Sequence, residues 1–211
     1  MSKTMTGWTR RAVIALALAA GILSHSEPAH ADEAAEAYVR GVLEEANPIL
    51  DAADKEARFA GIDALFDKHV DIRRVSMFVL GQYARVMTDE QKKEYVPLFG
   101  SYAKLVYRDT LSNYSGQHLE VTNSVDRSPR DIIVNSRIVN AKPGDPLANT
   151  VVHWRVYRSD DGKQSLFDAG ADGVWLAIEQ QSQFKSVIAN NGGGVKGIDA
   201  LIADLKEKVG E

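Results

Sequence analysis

Residues 150–168 read TVVHWRVYRSDDGKQSLFD, and this stretch predicts the architecture of the second half of the chain. From Thr150 to Arg158, alternate residues are apolar and define one face of a β-strand: Val152, Trp154 and Val156. Asp160-Asp161-Gly162 has the composition of a hairpin turn, and Gln164 to Asp168 supplies a returning strand. The stretch therefore predicts an antiparallel β-hairpin with one buried face.

Strand-like segments flank this hairpin on both sides. Ile132 to Val139 is rich in β-branched residues, Leu119 to Val125 precedes it, and Val174 to Ile178 follows the hairpin. The intervening residues 142–146, KPGDP, are incompatible with a regular element. These segments extend the hairpin into an antiparallel sheet of about four to five strands.

The first half of the chain has helical periodicity instead. Apolar residues recur three or four positions apart in three successive segments, the third interrupted near Gly81: Val39, Leu43, Ala46 and Leu50; Phe59, Ile62 and Leu65; Ile72, Val75, Val79 and Val86. Thr88 and Gln91 have capping-box spacing ahead of a fourth helix with an apolar stripe from Tyr95 to Val106. Helical spacing returns after about Gln183. Helices, then a sheet, then closing C-terminal helices predict the α+β class.

The segment ahead of the first helix has the features of a signal peptide. A basic start with Lys3, Arg10 and Arg11 precedes an apolar run from Ala12 to Leu23, which is too short to span a bilayer. Ala29-His30-Ala31 then has the small residues of a cleavage site. We expect residues 1–31 to be a signal peptide, residues 32–211 to form a single domain, and the domain to lie in the periplasm.

The charge of the chain disfavours nucleic acid as a partner, and the absence of cysteine excludes disulfide bonds. The whole chain has a net charge of −4, and residues 32–211 carry 22 basic and 28 acidic side chains, a net charge of −6. An acidic surface repels polyanions, so we expect no nucleic acid partner. The chain has no cysteine, so it forms no disulfide bond even in an oxidising compartment.

No catalytic, metal or cofactor site is predicted from the motifs. His69 lies between Asp67 and Asp71, but residues two apart do not share one face of a helix, and carboxylates at helix junctions usually cap. His153 and Arg155 are interpreted as a solvated strand face. Glycines 192, 194 and 197 match a dinucleotide-binding fingerprint only by letter, because a helix precedes them and too little chain follows. We therefore interpret them as a connector between two helices.

The remaining candidate feature is apolar surface. The strand face of Val152, Trp154 and Val156 is expected to oppose a helical wall formed by four residues: Val79, Phe99, Tyr102 and Val106. Two opposed apolar faces either enclose a cavity or pack as an ordinary core, and the pattern alone is compatible with both.

Several spaced motifs together resemble the MlaC family of periplasmic lipid carriers. The resemblance extends from about Phe66 to Lys208, and its motifs occur in the following order: Phe66-Asp67-x-His69-x-Asp71, Val79-Leu80-Gly81, Thr88-x-x-Gln91, Phe99, Tyr107-x-x-x-Leu111-x-x-Tyr114, Phe167-Asp168, Asp172-Gly173-Val174, Ser182-Gln183-Phe184 and Gly193 through Leu205. Each motif is short, and their order and spacing carry the resemblance.

This resemblance implies an NTF2-like α+β fold, with N-terminal helices packed on a curved antiparallel sheet around a deep apolar cavity. It implies a non-enzymatic shuttle that carries phospholipid between an outer-membrane lipoprotein complex and an inner-membrane ABC lipid transporter. The expected lipid-binding residues are the seven of the two opposed faces and one further residue: Val79, Phe99, Tyr102, Val106, Val152, Trp154, Val156 and Trp175.

Departures from the family pattern leave alternatives open. Trp175 replaces the usual serine, Gln181 replaces the usual arginine, and Ser165 lies near the place of a usual tryptophan. A rigid hopanoid favours flat, bulky walls, and Gly193-x-Val195-x-Gly197 is similar to the hopanoid-associated HpnM branch. A hopanoid carrier is therefore one alternative. An NTF2-like small-molecule enzyme using His153 is a second, and an adaptor that binds only proteins is a third.

We predict that the mature protein begins at Asp32, because the apolar run ends in Ala29-His30-Ala31. The intact mass of protein purified from the periplasm should correspond to residues 32–211. A mass that retains residues 1–31 would contradict the predicted cleavage.

Overall fold

The computed structural model describes residues 32–111, 118–141, 144 and 147–211. The predicted signal peptide, residues 1–31, and most of the KPGDP segment lie outside the described residues. No helix within the described ranges is both long and apolar enough to cross a membrane.

The described chain has helices at both ends and a sheet between them. Four α-helices and a 3-10 turn come first: α1 (Glu33–Leu50), α2 (Lys55–His69), α3 (Ile72–Leu80), the 3-10 helix (Gly81–Arg85) and α4 (Asp89–Leu111). Five strands follow: β1 (Leu119–Ser128), β2 (Asp131–Ile138), β3 (Val151–Arg158), β4 (Gln164–Ala171) and β5 (Val174–Trp175). Helices α5 (Leu176–Asn190) and α6 (Gly194–Val209) close the chain.

The strands form one antiparallel sheet in the order β1-β2-β3-β4-β5, which confirms the predicted α+β class. In the centre of the sheet Trp154 pairs with Val134 on one side and with Ala169 on the other. The register shifts where β4 pairs with Arg155 and Val156, because Phe167 is an extra residue in that strand.

Aspartates start the first three helices. Asp32, Asp54 and Asp71 each accept a hydrogen bond from the backbone N–H three residues later, at 2.8, 2.6 and 3.0 Å. Such a cap contributes about 1 kcal/mol and satisfies a donor that the helix leaves unpaired. With Asp54 as its cap, α2 begins earlier and is longer than the short helix expected around Phe59 to Leu65.

The predicted capping box of α4 is confirmed. The Thr88 N–H donates to Gln91 Oε1 and the Gln91 N–H donates to Thr88 Oγ1, both at 3.1 Å. The Gln91 amide also donates to the Val195 carbonyl at 2.9 Å and to Asp199 at 2.6 Å. The same residue therefore starts α4 and fixes it to the first turns of α6.

The segment from Val174 to Ile178 is not the strand that its β-branched residues predict. Only Val174 and Trp175 pair with β4, and α5 begins at Leu176. The Asp168 carboxylate accepts the Ala177 N–H at 2.9 Å and so satisfies a donor in the first turn of α5. This tertiary contact starts the helix earlier than the local sequence suggests.

The interruption at Gly81 is confirmed, whereas only part of the predicted glycine connector precedes α6. Gly81 has φ +57° and ends α3. Gly192 and Gly193 have φ +93° and +66°, values that glycine adopts without strain, and they link α5 to α6. The prediction of a connector is wrong for Gly194, which is the first residue of α6, and for Gly197, which is buried within that helix.

Buried apolar side chains form two separate clusters. The helical cluster joins α3, α4, α5 and α6 around side chains such as Val79, Tyr95, Phe184 and Leu201. The sheet cluster packs α1 against β2 and β3 through six residues: Ala35, Val39, Leu43, Ile132, Val134 and Val156.

Two helix glycines give a matched test of packing. A Cβ at Gly197 would clash with the Ile188 carbonyl oxygen, whereas a Cβ at Gly41 would meet no atom within 4 Å. Gly197→Ala should lower the free energy of unfolding by about 1–3 kcal/mol through overpacking. Gly41→Ala should raise it by up to about 1 kcal/mol through helix propensity.

Urea denaturation of both variants measures these changes. A stable Gly197→Ala variant would show that α5 and α6 are not packed as closely as described.

Candidate functional site

A cavity of about 470 Å³, open at one end, lies between the helical cluster and the sheet cluster. Side chains from helices α1 to α5 and strands β1 to β4 line it. The more exposed lining residues, including Thr110 and Leu147, lie near the C-terminal ends of α1 and α4 and the start of β3. We call this end the mouth.

The inner face of the sheet forms one wall of the cavity. Val152 and Trp154 on β3 lie beside Ala171 and Ala169 on β4, so two large side chains alternate with two small ones. The indole N–H of Trp154 donates to Ser136 Oγ at 2.9 Å. Because its one donor is paired within the sheet, Trp154 presents apolar ring surface to the cavity.

Helix α4 forms the opposite wall. Seven of its residues line the cavity at three- and four-residue intervals: Phe99, Tyr102, Ala103, Val106, Tyr107, Thr110 and Leu111. Phe184 of α5 packs behind this wall, with its ring centroid 6.1 Å from that of Phe99 and 5.8 Å from that of Tyr102. The Tyr95 hydroxyl donates to the Ser76 carbonyl at 3.1 Å and fixes α4 against α3.

Six of the eight residues predicted as lipid-binding lie together around this cavity: Val79, Phe99, Tyr102, Val106, Val152 and Trp154. Val156 and Trp175 do not line it. Val156 has the same strand parity as Val152, but α1 covers that end of the sheet, and Val156 is 0% exposed in the sheet cluster. Trp175 lies against His153, with ring centroids 5.8 Å apart, and next to Gly170.

The polar side of β3 is more tightly paired than predicted. Arg155 donates to both Asp131 oxygens at 2.8 Å, and its guanidinium lies 4.6 Å from the centroid of the Phe167 ring. Its side chain is only 18% exposed, so the prediction of a solvated face is wrong for Arg155. His153 Nδ1 lies 2.7 Å from Asn135 Oδ1, and His153 is absent from the cavity wall.

His69 is a cavity residue that the sequence pattern did not single out for this role. It is 8% exposed, with Nδ1 3.2 Å from the Tyr38 hydroxyl and Nε2 3.2 Å from Glu45. Burial raises the pKa of Tyr38 to about 12, so Tyr38 stays neutral beside the cavity at ordinary pH. The flanking Asp71 caps α3, as expected of a carboxylate at a helix junction.

Two further polar side chains of the wall were also missed. Asp168 is 4% exposed, and burial raises the pKa of its carboxyl group. Gln180 of α5 lines the same wall. Asp168 lies in one of the motifs of the family resemblance, but no pattern predicts that Asp168 or Gln180 lines the cavity, because their placement depends on how α5 packs against β4. In the described ranges no group of three or more histidine or acidic side chains is arranged to hold a metal ion.

The comparisons with known proteins agree with this geometry. The family model described as MlaC protein matches residues 38–207. The intermembrane phospholipid transport system binding protein MlaC of Haemophilus influenzae is 21% identical over 144 residues, covering 68% of this chain and 64% of that relative. The match thus spans slightly less than two thirds of the relative's length.

A solved structure has the same fold. The phospholipid-binding protein from Ralstonia solanacearum, determined in complex with a phospholipid, superposes with a TM-score of 0.68 at 22% identity. The similarity covers 83% of this chain and 97% of that protein. The arrangement of helices around an antiparallel sheet is therefore shared over nearly the whole described domain.

Proposed function

Because the chain belongs to the MlaC family, we propose that it is a non-enzymatic carrier that binds phospholipid and moves it through the periplasm. The observation that carries this proposal is the apolar cavity of about 470 Å³ between the sheet and the helices. Its volume lies within the usual range for sites that bury a small molecule.

The physical requirement for such a carrier is hydrocarbon shielding. Each methylene group taken out of water stabilises the bound state by about 0.8 kcal/mol, so a lipid crosses water only when its acyl chains are covered. Aliphatic and aromatic side chains make up most of the cavity wall. The charged headgroup can remain at the mouth, where Thr110 and Leu147 are exposed.

The relatives support phospholipid as the ligand. The Haemophilus influenzae protein is named as a binding protein of a phospholipid transport system, and the Ralstonia solanacearum protein was solved with a phospholipid. The family and the signal-peptide features of residues 1–31 support a periplasmic location. We further propose that the carrier exchanges lipid with an inner-membrane ABC lipid transporter and an outer-membrane lipoprotein complex.

The two residues whose departure from the family pattern favoured a hopanoid, Trp175 and Gln181, do not line the cavity. Trp175 packs on His153, and the Gln181 side chain donates to the Phe78 carbonyl at 2.6 Å. Neither residue lines the cavity. His153, the candidate for an NTF2-like enzyme, is likewise outside it. Phospholipid therefore remains the ligand that the observations favour.

Two adjacent valines of β3 provide a matched test. Val152 lines the cavity, whereas its neighbour Val151 is 39% exposed. Val152→Glu should reduce co-purified phospholipid about tenfold or more, because an unpaired charge beside acyl chains costs several kcal/mol. Val151→Glu should leave the lipid content unchanged.

The measurement is quantitative mass spectrometry of lipid extracted from each purified variant, with circular dichroism to establish folding. Equal phospholipid content in two folded variants would contradict the assignment of the cavity as the binding site. Wild-type protein that neither contains phospholipid nor takes it up in vitro would refute the proposed function.

A further inference from the structure

Two buried hydrogen-bond acceptors on the cavity wall have no partner. Asp168 Oδ2 and Gln180 Oε1 are both inaccessible and make no hydrogen bond within the described structure. Both residues line the cavity, and Asp168 is more than nine-tenths buried. Unpaired buried acceptors are rare in folded proteins because desolvating them without a partner is costly, so each one requires an explanation.

The packing of α5 brings the two acceptors to one region of the wall. Asp168 Oδ1 accepts the N–H groups of Ala169 and Ala177 at 2.8 and 2.9 Å, which leaves Oδ2 as the free oxygen. Gln180 follows Ala177 by three residues, so it lies on the same face of α5 one turn later. Tyr107 of α4 also lines the cavity, and burial together with the charge of Asp168 raises the pKa of Tyr107.

The chemistry of this region selects a neutral donor. A phosphate group offers only acceptors at neutral pH and would be repelled by a carboxylate. An ammonium group would have to lose its water among apolar walls, which is far more costly than desolvating a hydroxyl group. A hydroxyl group donates one hydrogen bond and can be buried once that bond is made.

We propose that Asp168 and Gln180 form an acceptor site for a hydroxyl group carried on the hydrocarbon part of the bound lipid, whose single proton the two oxygens share in a three-centre hydrogen bond. The inference rests on the proposed lipid-carrier function and specifies which lipids the cavity prefers. The hydroxyl group belongs either to a hydroxylated acyl chain or to a polycyclic alcohol, and the site binds both by the same hydrogen bond.

Gln181 is a matched control for Gln180. Its Nε2 donates to the Phe78 carbonyl at 2.6 Å, and its Oε1 accepts from Lys185 at 2.8 Å. Methionine is similar in shape to glutamine but has no amide group. Gln180→Met should therefore remove a lining acceptor without loss of thermal stability, whereas Gln181→Met should lower the melting temperature and leave the cavity wall intact.

The experiment measures competition against a fluorescent phospholipid in wild-type protein and both variants. One series of competitors contains phospholipids with a single acyl-chain hydroxyl group at successive positions, beside the unmodified lipid. A second pair compares a hopanoid alcohol with its parent hydrocarbon. At least one hydroxylated competitor should bind wild type roughly three- to tenfold more tightly than its counterpart, the size of one hydrogen bond.

Gln180→Met should reduce that preference severalfold, and Gln181→Met should retain it. Preference in the first series identifies a hydroxylated acyl chain as the source, and preference in the second identifies a polycyclic alcohol. Equal binding within both series, or a preference that persists in Gln180→Met, would overturn the inference while leaving the carrier function intact. Failure of every lipid to compete would instead refute the proposed function on which the inference rests.

Discussion

The structure depends on an incomplete match between the apolar inner face of the sheet and the helices that cover it. Helix α1 packs on β1 and β2 and buries one part of that face around Val134 and Val156. The other helices bury their apolar sides mainly against one another, around Tyr95 and Phe184. The surfaces that remain, on β3, β4 and α4, face each other across the cavity.

An empty gap of this kind lowers the stability of the fold, and a bound hydrocarbon offsets that loss. Side chains that line a void lose dispersion contacts on one side, and hydrocarbon restores these contacts. Helix α2, which forms part of the wall, has few buried residues and is held to its neighbours by ion pairs, including Lys68 with Glu45 and Lys104 with Asp67, each at 2.7 Å. Exposed ion pairs contribute at most about 1 kcal/mol each. The wall that α2 contributes therefore contains few buried side chains, of which Phe66 packs against Tyr107 of α4.

The sequence was most informative where a pattern is local. The alternation of β3 predicted the face shared by Val152 and Trp154, and the spacing of Thr88 and Gln91 predicted the start of α4. A local pattern does not specify which helix packs on which part of the sheet. Val156 has the correct parity but lies beneath α1, and the β-branched and aromatic residues after Val174 start a helix because Asp168 accepts a hydrogen bond from its first turn. His69 and Asp168 lie in motifs of the family resemblance, but their place on the cavity wall, like that of Gln180, depends on the same long-range packing and is not predicted by any local pattern.

The central claim is that acyl chains occupy the space between α4 and β3, and photochemical cross-linking tests it directly. The protein would be loaded with a phospholipid that carries a photoreactive group near the end of one acyl chain, irradiated, and analysed by mass spectrometry of its peptides. We predict cross-links on cavity residues such as Tyr102, Val106 and Val152. Cross-links confined to exposed apolar residues outside the cavity, such as Val174 and Ile178, would contradict the account.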